Sequence, residues 1–75
     1  MKVKVEVQVK RSKLWEAIDF ITKQNYRLHR IERDILIPAY YVTFISKGKI
    51  EEIIEVLKQL GERDLIADLI RVEYW

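Results

Sequence analysis

Between Lys2 and Val9 apolar and polar residues alternate without a break, with Val3, Val5, Val7 and Val9 set against Lys4, Glu6 and Gln8. Successive strand side chains point to opposite faces, so the pattern predicts a strand with one buried face. From Leu14 the spacing changes. Leu14, Ala17, Ile18 and Ile21 fall on one side of a helix, with Trp15 and Phe20 at its flanks. Ser12 is suited to the N-cap, and Asn25 to a left-handed residue after a helix ending near Lys23 or Gln24. Tyr26 to Arg33 predicts a second strand, but Leu28 and Ile31 can share a face only through a bulge. Bulges concentrate at sheet edges, so this strand is placed at an edge.

The stretch from Leu36 to Ser46 is apolar in both registers: Leu36, Tyr40, Val42 and Phe44 on one face, Ile37, Ala39, Tyr41, Thr43 and Ile45 on the other. Such a strand needs cover on both sides. Pro38 has no N–H to donate to a central ladder and belongs at a strand start or beyond the paired region. Residues 33–38 are therefore expected to form a hairpin tip projecting past the neighbouring strand. Farther on, Ile50, Ile53, Ile54, Leu57 and Leu60 make the strongest helical periodicity, with Ser46 or Gly48 as a cap and Gly61 as the residue that ends the helix. Glu62 to Asp68 reads as a short helical turn. A last strand, Leu69 to Trp75, turns Ile70, Val72 and Tyr74 inward and Arg71, Glu73 and Trp75 outward.

The predicted order βαββαβ is that of the ferredoxin-like fold, an α+β architecture with a four-stranded antiparallel sheet in the order 4-1-3-2. Right-handed crossovers put both helices on one face. One domain spanning residues 1–75 is expected. The other sheet face has no element left to cover it. It should carry Tyr41, Thr43 and Ile45 at its centre, with Arg27, His29, Arg71 and Trp75 among the flanking residues. An apolar centre ringed by charge suits a protein interface.

Within that strand, Tyr41-Val42-Thr43-Phe44 resembles the end of the RNP1 motif of RNA-recognition-motif domains, which share this fold. The resemblance covers four residues. It implies a stacking role for Tyr41 and core roles for Val42 and Phe44. The chain departs from the motif at Ile37-Pro38, where a basic residue and glycine are usual. It departs again at Ala39 and Lys4, where aromatics are usual, and at Tyr40, where a small residue is usual.

Charge then weighs protein against nucleic acid. Lys4, Arg27 and Arg71 oppose Glu6 and Glu73 on the expected face, an excess of one positive charge, which is small for a phosphate-binding surface. The favoured reading is a non-enzymatic module that binds a second copy or another subunit through its open face. The alternative is single-stranded nucleic acid. Lys10, Arg11 and Lys13, at the start of the first helix, and Arg33 at the hairpin tip make a candidate anion site.

Composition narrows the chemistry. Cysteine is absent, which excludes disulfides and thiolate metal sites. His29 is the only histidine, and neither Ser12 nor Ser46 stands in a motif that supplies a base. The expectation is therefore no catalytic residue, metal or cofactor. No apolar run approaches the ~20 residues of a membrane span, so no membrane partner is expected and the cytoplasm is the expected compartment. Eleven isoleucines and only two glycines suggest a thermophilic source.

Overall fold

A computed structural model describes residues 2–74. The elements run β1 (Val3–Lys10), a 3-10 turn (Arg11–Lys13), α1 (Leu14–Lys23), β2 (Arg27–Arg33), β3 (Ala39–Ser46), α2 (Ile50–Glu62) and β4 (Asp68–Tyr74). All strand pairings are antiparallel, and the sheet order is β2-β3-β1-β4. This is the expected order read from the opposite edge.

The four valines of β1 are fully buried. They share one cluster with Leu14, Ala17 and Ile21 of α1, Ile53, Val56 and Leu60 of α2, and Val42 and Phe44 of β3. Both helices therefore pack on the same face of the sheet. Phe44 is the largest fully buried side chain, and its ring stacks on Tyr26 at 5.4 Å between centroids. Among the described residues no helix is long and apolar enough to cross a membrane.

Local chemistry differs from the sequence expectation at several element ends. Ser12 is not a cap: it lies inside the 3-10 turn, and neither that turn nor α1 has a side-chain cap hydrogen bond. Ser46 does not cap α2 either. Its Oγ accepts from the Gly48 N–H at 3.0 Å, closing the turn before the helix, and the N-cap position falls to Lys49. Gly61 does not end α2. The helix runs on to Glu62, and Asp64 adopts the left-handed conformation with φ 55°. The N–H of Asp64 bonds to the Gly61 carbonyl (3.1 Å) and that of Leu65 to the Leu60 carbonyl (2.9 Å), the paired bonds of a Schellman ending. Leu60 and Leu65 then meet in the core. The chain after Asp64 is not helical.

Two strands also shift. β3 begins at Ala39, so Leu36 and Ile37 lie in the hairpin loop and not on the sheet. In β4, a bulge between the partners of Glu6 and Val7 leaves Ile70 without a partner on β1. Ile70 is consequently exposed and not turned into the core. In α2, Ile54 is 57% exposed, and Val56 takes the buried position beside Ile53 and Leu60.

Candidate functional site: the open face of the sheet

Register fixes which side chains stand together on the face away from the helices. Three rows cross the sheet in the order β2, β3, β1, β4. The first is Arg27, Ile45, Lys4, Glu73; the second Arg30, Thr43, Glu6, Arg71; the third Glu32, Tyr41, Gln8, Asp68. The structure thus brings Tyr41, Thr43, Ile45, Arg27 and Arg71 onto one surface, as expected. His29 is the residue left unpaired by the β2 bulge, and it lines the same central depression. Trp75 lies outside the described residues.

Sequence reasoning missed Arg30, Glu32 and Asp68. The signal was present for the first two. Once a bulge is accepted between Leu28 and Ile31, the parity of every later residue in β2 reverses, and Arg30 and Glu32 swing onto the open face.

These additions change the electrostatics. Arg27, Arg30, Lys4 and Arg71 now oppose Glu6, Glu32, Glu73 and Asp68, four charges of each sign, so the face is balanced. The signs are interleaved. Glu73 lies 3.8 Å from Lys4 and 3.0 Å from Arg71, and Arg30 pairs with Glu32. The centre is also less apolar than expected. Thr43 is only 8% exposed although no element lies over it, because Arg30, Glu32, Glu6 and Arg71 wall the depression above it. The large exposed apolar side chains lie elsewhere: at the hairpin tip, on the helices and on the edge strands, Ile31 on β2 and Leu69, Ile70 and Tyr74 on β4.

Tyr41 is committed to its own hairpin. Its hydroxyl donates to Asp34 Oδ2 at 2.6 Å, while Asp34 Oδ1 accepts from the N–H groups of Leu36 (2.8 Å) and Ile37 (3.2 Å). The Tyr41 bond first, and then the Leu36 N–H, hold the Asp34 carboxyl below its ordinary range. The same bond to the carboxylate raises the Tyr41 phenol. Glu32, Gln8 and Asp34 surround the ring, an acidic setting that repels a phosphate backbone.

The basic residues Lys10, Arg11, Lys13 and Arg33 gather at the end of the sheet where the hairpin tip projects. There the Arg11 N–H bonds to the Pro38 carbonyl at 2.9 Å. Lys10 already lies 3.8 Å from Asp64, so acidic groups share this end. No protein-family model matches the chain, and no curated protein matches it.

Proposed function

We propose that this chain is a ferredoxin-like, non-enzymatic interaction module whose open sheet face docks a protein, either another copy or a different subunit. The observation that carries the reading is the interleaved lattice of four cations and four carboxylates around Tyr41, Thr43 and Ile45. A polyanion gains from the cations and loses as much to the carboxylates. A protein surface with its own mixed charges can match both, and such patterning selects partner and register. Arg27, His29 and Arg71 take part from the edges of the face.

Light scattering and a nucleic-acid titration test this. Self-association through the face gives a mass above that of one chain at high micromolar concentration. Glu6→Arg, which turns a balanced face into one with two excess positive charges, lowers that mass. A single-chain mass leaves a different subunit as the partner. Salt-sensitive binding of single-stranded RNA that disappears in Tyr41→Ala would overturn the protein reading in favour of nucleic acid.

A further inference from the structure

The two edges of the sheet are built differently. β2 presents Arg27, Arg30, Glu32 and Arg33 around a bulge, all exposed, with Ile31 its one exposed large apolar side chain. Charge and irregularity of this kind discourage pairing with another strand. β4 presents Leu69, Ile70 and Tyr74, all exposed large apolar side chains, with Val72 partly buried among them. Its bulge lies at Ile70, the third of its seven residues, and the ladder from Arg71 to Tyr74 is regular.

α2 extends the same apolar strip. Its inward side is set by Ile53, Val56 and Leu60. Glu52, Val56 and Gln59 line a groove with Gln24 and Tyr26, so that flank faces α1 and β2. At 100° per residue Ile54 falls on the opposite flank, with Ile50 and Leu57 at its inner margin. α2 links β3 to β4 on the helix side of the sheet, so the topology turns this flank toward β4. Ile54, like Ile70 and Tyr74, is exposed, and none of the described residues covers it.

We propose that the β4 edge and the Ile54 flank of α2 form the seam of a two-fold homodimer, the β4 strands of two copies pairing antiparallel about Val72. This rests on the protein-interaction reading above and names a second copy of this chain as a partner. Charge selects the register. Centred on Val72, Arg71 of each copy stands opposite Glu73 of the other, and Ile70 opposite Tyr74. Moving the two-fold centre by one residue, to Arg71 or to Glu73, sets Arg71 against Arg71 or Glu73 against Glu73. The faces agree as well. Arg71 and Glu73 share the open face with Glu6 and Lys4, while Val72 and Tyr74 share the helix side with Val5 and Val3. The pairing therefore joins two sheets into one of eight strands, with the α2 flanks brought together above it and both open faces continuous below. Five strand residues and one helix flank a side make a small seam beside the ~1,200 Å² typical of a stable interface, so the dimer exchanges with monomer.

Sedimentation equilibrium of the full chain up to millimolar concentration tests the seam, with circular dichroism confirming that each variant is folded. The expected result is a monomer–dimer equilibrium. Arg71→Glu or Glu73→Arg alone weakens it by about tenfold, since like charges then stand opposite on both sides. The double exchange restores it. Ile54→Glu weakens it without touching the strand. The chain has no cysteine of its own, so Val72→Cys should give a disulfide-linked dimer under mild oxidation. A chain that stays monomeric overturns the seam. A dimer that survives Ile54→Glu and both single reversals but dissolves in Glu6→Arg also overturns it, and leaves open-face docking standing. The opposite pattern supports the seam and removes self-docking through the open face.

Discussion

Asp34 explains why a five-residue loop can hold Ile35 and Leu36 in water, 92% and 88% exposed, without collapsing. Its carboxylate takes two backbone N–H groups from the loop and the Tyr41 hydroxyl from β3, so the turn is tied to the sheet. Both ends of that tie titrate. The Asp34 carboxyl is lowered on folding, so its contribution is complete above the ordinary carboxylate range and fades as pH falls through the lowered value. The Tyr41 phenol is raised, so its contribution holds below the ordinary phenol value and fades as pH rises through the raised one. The amide resonances of Leu36 and Ile37 should report an acid titration with a midpoint below that of a free aspartate. Tyr41→Phe should move the midpoint up; an unmoved midpoint would mean that the hydroxyl does not hold the loop. The hairpin tip at residues 33–38, which contains Asp34, was legible in the sequence. The bond between Asp34 and Tyr41 was not, because the hairpin register that brings them together is not written in local spacing.

At the scale of elements, termini and bulges decided what was legible. Strand and helix identities followed from periodicity because Val3 to Val9 and Leu14 to Ile21 each bury one face. The β2 bulge was legible because Leu28 and Ile31 conflict in a regular strand. The β4 bulge was not, because Ile70, Val72 and Tyr74 alternate cleanly on paper. It is imposed by tertiary constraint: the Ala67 N–H bonds to the Gln8 carbonyl at 2.7 Å, and Leu69 then pairs with Val7. The end of α2 gives a direct test. Were Gly61 the left-handed residue after the helix, alanine there would be strained. In this structure it is helical, and a Cβ would meet nothing within 4 Å. Gly61→Ala should therefore stabilise the protein by roughly 0.5–1 kcal/mol, raising the melting midpoint by several degrees. A lower midpoint would return the helix end to Gly61. Asp64→Gly should likewise stabilise, since glycine adopts φ 55° without the Cβ penalty, and Lys10 loses only an exposed ion pair.

The whole molecule rests on a core that occupies one side of a single sheet. A chain of this length has a total stability of roughly 4–11 kcal/mol. Phe44 fills the middle of that core with its ring on Tyr26, and truncating a buried phenylalanine costs about 3–5 kcal/mol. Phe44→Ala should therefore leave a large fraction of the chain unfolded at room temperature. The next residue, Ile45, points the other way, between Arg27 and Lys4 on the open face, and is only partly covered. Ile45→Ala should cost well under half as much in a dilute monomer, because the alanine leaves no enclosed cavity and the lost burial is incomplete. Urea denaturation of the two variants at low and high protein concentration separates the two faces of β3. A loss at Ile45 that stays small when dilute and grows with concentration means that a second copy covers the open face. A loss that is small at every concentration places any self-association at an edge and leaves the face to a different protein. Equal losses at Phe44 and Ile45 in dilute monomer would contradict the one-sided core itself.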